Sequence, residues 1–193
     1  MLVSVIVPIY NAEAYIGKCA ESLMMQTYSD IEYVFVDDAS TDASLSVLNG
    51  VIDRFEDRKK SVKVLRHDTN RGASVSRFDG VKEASGEWVI FVDSDDYVLT
   101  DYVTHLVKRG EETEADVVVC DYYEEREAGN LVEKKVCLPH AKVEILAGII
   151  VGTIKGYLVN KLARRRLWRG ISAVDGLAMF EDKHCVMQLC FAA

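Results

Sequence analysis

The chain has 193 residues, 49% of them hydrophobic and 28% charged, which suits one domain with a substantial core. A net charge of -8 argues against a nucleic-acid binder that works by neutralising phosphates. No run approaches the roughly 20 apolar residues of a membrane span, and no signal peptide is visible. Five cysteines without a CxxC pair (Cys19, Cys120, Cys137, Cys185, Cys190) are expected to be reduced, mostly buried thiols of a cytoplasmic protein, and their spacing does not suit zinc.

Residues 3–9, VSVIVPI, are an almost continuous β-branched run and predict a strand buried on both faces. Asn11 is a candidate N-cap for a helix marked by Ile16, Ala20, Leu23 and Met24. IEYVFVD, 31–37, predicts a second strand, and STD, 40–42, offers caps to a helix with Leu45, Leu48, Ile52 and Phe55 on one face. A third strand is predicted at 61–67 and a fourth at 87–93. Between them lies a helix over 70–86, entered near Gly72 and closed by Gly86. After residue 97 the rhythm changes. A helix over 100–113, strands over 115–125 and 131–138, a helix over 141–151 and a last helix over 180–192 are predicted, while 156–168 fits no single pattern. No repeat or linker divides the chain, so 1–97 and 98–193 read as two halves of one domain.

Strands alternating with helices imply a doubly wound, mostly parallel α/β sheet with helices on both faces. Ligands bind such sheets at the carboxyl ends of the strands. The polar residues gather there: Tyr10 and Asn11, then Asp37 and Asp38, then Asp93, Ser94, Asp95 and Asp96. VIFVDSDD drives a buried strand into three carboxylates within four positions, and their mutual repulsion calls for a cation at least part of the time. Three readings follow: capping and solvated turn acids, a Mg²⁺ or Mn²⁺ site that bridges to phosphates, or a haloacid-dehalogenase-type phosphatase. Tyr97, and the position after the fourth strand, fit the last poorly. Asp38 either caps the next helix with Ser40 or accepts from a nucleobase N–H. There is no G-x-G-x-x-G after the first strand and no Walker A loop. KLARRRLWR, 161–169, is either a solvated helix face or a contact for an anionic acceptor or lipid headgroup, and the four histidines read as ordinary surface or core residues.

SVIVPIYNAEAYIGKCAESLMMQTYSDIEYVFVDDASTD, then NRGASVSRFDGVKEASGEWVIFVDSDDYV, then FED before a helix, together resemble a family 2 glycosyltransferase of the GT-A fold. The likeness is dense over 4–101, returns at about 156–190, and is weak over 102–155. It implies metal-assisted, inverting transfer of a sugar from a nucleotide donor, UDP above all, to a carbohydrate or lipid-linked saccharide acceptor. It implies a Mn²⁺ or Mg²⁺ cofactor, a role in bacterial cell-envelope polysaccharide synthesis, and work in the cytoplasm or at the cytoplasmic membrane face. Asp93 and Asp95 match the D-x-D pair, with Asp95 the direct metal ligand, Asp93 nearer the ribose and Asp96 in support. Pro8, Tyr10 and Asn11 match the base and ribose wall, Asp38 the acid that meets the pyrimidine, and Arg71, Arg77 and Ser94 lie near the donor. Phe78 departs from the Asn common after Arg77. Asp182 matches the general base, with Glu181 beside it to raise its pKa. Members usually continue well past this point, so the acceptor side is expected to be incomplete. A non-catalytic nucleotide-sugar-binding domain and a metal-dependent phosphohydrolase remain as alternatives.

Overall fold

The computed structural model describes residues 1–126, 129–171 and 181–193. Seven consecutive buried residues, Val3–Ile9, form β1 in the middle of a six-stranded sheet. β2 (Ile31–Asp37) runs parallel on one side of it, with β3 (Val62–Arg66) parallel beyond. β4 (Trp88–Phe91) runs parallel on the other side. The four parallel neighbours expected from the sequence are therefore present. The sheet continues through β8 (Lys161–Arg164), antiparallel to β4, to β5 (Val117–Val119), antiparallel to β8. β6 (Tyr122–Arg126) and β7 (Asn130–Lys134) form a separate antiparallel pair.

Side chains alternate across β1, and each face has its own core. Val3, Val5, Val7 and Ile9 pack with Ile16, Leu23, Leu48 and Leu106 from α1 (Ile16–Met24), α2 (Ser44–Ile52) and α5 (Tyr102–Thr113). Ile6, Val34, Val36 and Phe91 face the other way, towards Ile149, Trp168 and Leu189. That face is covered by α4 (Ala73–Glu83), α6 (Lys142–Val151) and α7 (Glu181–Ala192). A short α3 (Glu56–Lys59) precedes β3.

One polar cluster sits inside this packing, at the end of the sheet where β1 begins. Glu32 accepts hydrogen bonds from Ser4 Oγ (2.5 Å), Ser85 N–H (2.5 Å), Ser85 Oγ (2.8 Å) and Gly86 N–H (3.0 Å). Burial alone would raise its carboxyl, but these donors outweigh it and bring the pKa down to about 2. The cluster fastens the turn before β4 to β1 and β2.

Several sequence expectations change. Asn11 does not cap α1, whose N-cap, Tyr15, lies four positions further on. It sits at φ 48°, bound to the next loop. Neither Asp38 nor Ser40 caps α2; Asp42 accepts the Ser44 N–H at 3.0 Å. Gly86 does not close α4, whose C-cap is Ala84 in extended conformation. A Cβ at Gly86 would lie 2.7 Å from the Ser4 backbone nitrogen, so the glycine permits close approach to β1. The strand expected over 115–125 is two strands in different sheets, because the chain leaves the main sheet after Val119. The basic run 161–169 is no helix face. It begins as β8 and turns into a 3₁₀ segment, Arg165–Gly170, with Arg164 over the Trp88 ring and Arg166 paired to Asp116. Only Cys19 and Cys185 are buried, and Cys137 is exposed. Among the described residues no helix is long and apolar enough to cross a membrane.

Candidate active site

The parallel order aligns the carboxyl ends of β1, β2 and β4, and the chain leaves each through a polar turn. After β1, Tyr10 is half exposed and Asn11 adopts the left-handed conformation that asparagine tolerates. The Asn11 N–H donates to Ser40 Oγ (3.0 Å), and its Oδ1 accepts the Thr41 N–H (2.9 Å). The exits of β1 and β2 are thus fastened together.

Asp38 follows β2 and is 2% exposed. Its carboxylate accepts the Arg71 N–H (2.8 Å) and the Gly72 N–H (2.7 Å) and lies 2.7 Å from His67 Nδ1. The other ring nitrogen of His67 is 3.2 Å from Asp79. Asp38 therefore holds the loop between β3 and α4 against the sheet edge. Gly72, at φ 88°, lets that loop turn into α4.

After β4 come Asp93, Ser94 and Asp95. Arg77, reaching from α4 with a side chain 8% exposed, donates Nη2 to Asp93 Oδ1 (2.6 Å) and Nη1 to Asp182 Oδ1 (3.0 Å). The Leu158 N–H donates to the other Asp182 oxygen at 3.4 Å. One guanidinium thus joins the acid at the end of β4 to the acid at the start of α7. Both carboxylates stay partly exposed, Asp93 34% and Asp182 24%.

These turns enclose a cleft of about 470 Å³. Pro8 of β1, Tyr10 and Asn11 after it, Asp38 after β2, Arg77 from α4, and Asp93, Ser94 and Asp95 after β4 all line it. Arg71 gives only its backbone: its guanidinium turns to Asp79 at 2.8 Å and is not part of the cleft lining. The side chain of Glu181 and the Phe180 of the FED motif lie outside the described residues. His67, Asn70 and Ser76 were not singled out from sequence as site residues. Asn70 and Ser76 line the cleft, and His67 supports Asp38. The available signal was that His67 and Asp38 each lie one residue past the paired strand ends Arg66 and Asp37.

The acids at the end of β4 are crowded. The carboxyl of Asp96 is raised to about 6, first by its desolvation against the surrounding atoms and then by Asp93 and Asp95. The same three acids help burial push the Cys19 thiol up. Asp95 is exposed, faces the cleft and has no ion pair among the described residues. This excess of negative charge fits a divalent cation. Among the described residues no three His, Cys, Asp or Glu side chains converge to hold one unaided. An ion here would need phosphate oxygens and water to complete its shell, as Mg²⁺ and Mn²⁺ sites on nucleotides commonly do.

The glycosyl transferase family 2 profile matches residues 4–169, most of the sheet and its helices. The chain belongs to glycosyl transferase family 2. Within the family it is 41% identical over 121 residues to glycosyltransferase GlyA of Streptococcus pneumoniae, covering 63% of this chain and 17% of GlyA. It is 42% identical over 101 residues to the poly(ribitol-phosphate) beta-N-acetylglucosaminyltransferase TarS of Staphylococcus aureus, covering 51% of this chain and 17% of TarS. The crystal structure of S. aureus TarS 1-349 in complex with UDP-GlcNAc matches with a TM-score of 0.79 and 27% identity, over 100% of this chain and 54% of that one. The chain thus spans roughly half or less of the length of these proteins. The GT-A-like fold expected from the sequence is the fold found.

Proposed function

We propose that this chain holds the donor half and the base of an inverting, metal-assisted glycosyltransferase that uses a UDP-sugar. The observation that supports the reading is the Arg77 bridge, in which one guanidinium lining the cleft bonds both Asp93, which also lines it, and Asp182. The TarS fragment, similar over the whole chain, binds UDP-GlcNAc, which supports UDP as the nucleotide. Residues 1–97 supply the donor side and residues 98–193 the acceptor side of a single domain. The acceptor is a carbohydrate or lipid-linked saccharide of the bacterial cell envelope, met in the cytoplasm or at the cytoplasmic membrane face.

The residues present divide the work. Pro8, Tyr10 and Asn11 flank the base and ribose, with the Asp38 loop closing that end. Asp95, with Asp93 in support, would hold Mn²⁺ or Mg²⁺, which when bound offsets charge on the departing diphosphate. Asp182, oriented by Arg77 and the Leu158 N–H, takes the proton of the acceptor hydroxyl. That oxygen bonds to the anomeric carbon as the carbon–phosphate oxygen bond breaks, and the electron pair leaves with the diphosphate. Attack opposite the leaving group inverts the anomeric centre.

The test is nucleotide release from a panel of UDP- and GDP-sugars, with Mn²⁺ and with EDTA. Mn²⁺-dependent release of UDP without inorganic phosphate is expected. Release of inorganic phosphate would point to a phosphohydrolase, and binding without release to a non-catalytic domain.

A further inference from the structure

Lysine is almost never fully buried without partners. Lys161, the first residue of β8, is 6% exposed. Its Nζ donates to the Tyr157 carbonyl at 2.5 Å and to Asn160 Oδ1 at 2.7 Å. Asn160 is 5% exposed; its Nδ2 donates to the Cys120 carbonyl (3.0 Å), and the Cys120 N–H donates back to the Asn160 carbonyl (3.1 Å). The Lys161 N–H closes the turn on the Leu158 carbonyl at 3.1 Å, and Tyr102 Oη donates to the Val159 carbonyl at 2.8 Å. Residues 157–160 are thus tied to Cys120 just after β5, to α5 or to Lys161. This turn presents the Leu158 N–H to Asp182.

Packing gives no reason for a cation there. Lys161 also lines a second cavity, of about 460 Å³, whose wall includes Val117, Ile149, Val186 and Leu189. A leucine or methionine would suit that wall better, since desolvating an ammonium costs stability unless it is fully partnered. We propose that Lys161 is a positioning residue for Asp182: its ammonium clamps the 157–161 turn, which fixes one carboxylate oxygen while Arg77 fixes the other. The inference rests on the reading of Asp182 as the base.

Charge adds a second link. Burial pushes the Lys161 amine down to about 8, while Cys190 on α7, Cys120 after β5 and Asp182 on α7 act in the opposite direction. Asp182 is faced in turn by Arg77 from α4, with Asp93 beyond it, and by Lys161. Lys161 therefore loses its charge as pH rises through about 8, and its hold on the turn weakens there.

The test measures UDP release from the best UDP-sugar of the panel, with Mn²⁺, across pH, and UDP affinity by calorimetry. Lys161→Met should lower kcat by ~10-fold or more while UDP affinity stays within about twofold, because a small misplacement of a catalytic group is costly to rate and not to donor binding. Lys161→Arg should restore most of the rate and remove the fall in kcat near pH 8. In an Asp182→Asn background, Lys161→Met should have no further effect. Should Lys161→Met not fold, Lys161→Gln, which keeps an N–H donor and loses the charge, carries the same comparisons. Wild-type kcat in the neutral variant, failure of Arg to rescue, or an undiminished loss in the Asp182→Asn background would overturn the proposal. Wild-type turnover by Asp182→Asn alone would remove the base assignment, a separate failure read on its own variant.

Discussion

Replacing Arg77 by methionine keeps most of the packing of its aliphatic stem and removes the guanidinium that joins Asp93 to Asp182. The cost follows from burial. Breaking a fully buried pair costs about 3–5 kcal/mol, and an exposed pair is worth about 0–1 kcal/mol. Here the Arg77 side chain is 8% exposed, but its partners are 34% and 24% exposed. Water can solvate the two orphaned carboxylates in part, which places the loss at about 2–3 kcal/mol. For a chain of this size that corresponds to a fall in Tm of roughly 4–12 °C. Urea denaturation followed by circular dichroism gives the number directly, and the transition slope should not change. Activity should fall further than stability explains, because Asp182 loses its orientation. A loss below about 0.5 kcal/mol, with turnover intact, would mean that the bridge carries neither stability nor geometry.

Other expectations concern the frame around the cleft. Asp38→Asn should cost about 1–3 kcal/mol and weaken UDP binding, because an amide NH₂ must face Arg71 N–H or Gly72 N–H where an oxygen now accepts; thermal melts and calorimetry measure the two effects. Ala39→Gly should stabilise by about 0.5–1 kcal/mol, since alanine is held at φ 62° beside Asp38, and a Tm no higher than wild type would count against strain there. Glu32 has a folded pKa near 2, below its unfolded value, so its contribution is present above about pH 4 and lost as pH falls through about 2. Glu32→Gln should therefore destabilise by about 2–3 kcal/mol at neutral pH, and the gap from wild type in urea midpoints should narrow in acid.

Much of the frame was legible because it is local. β1 and β2 announce themselves as unbroken apolar runs, since a strand covered on both faces has no polar side to show. The turn acids after β4 were legible because charge directly after such a run is costly without a purpose. What stayed hidden depends on tertiary pairing. β8 is four residues long and takes its place only by lying between β4 and β5, which no periodicity over four residues can report. Arg77 was visible as a candidate near the donor, but not its bridge, since Asp93 and Asp182 are brought to it by separate elements. Asn11 looked like a helix cap because asparagine serves caps and left-handed turns alike, and only the neighbouring loop with Ser40 and Thr41 decides between them. His67 carries no such sign, because a histidine at the end of an amphipathic strand is unremarkable until Asp38 lies beside it.

UDP binding measured by calorimetry tests the proposed cation site at Asp95 most directly. With Mn²⁺ the wild-type chain should bind UDP at least ~10-fold more tightly than with EDTA, and Asp95→Ala should abolish most of that difference, because this carboxylate would hold a cation that offsets the charge of the diphosphate. Equal UDP affinity in Mn²⁺ and EDTA, or an undiminished metal effect in Asp95→Ala, would contradict the account.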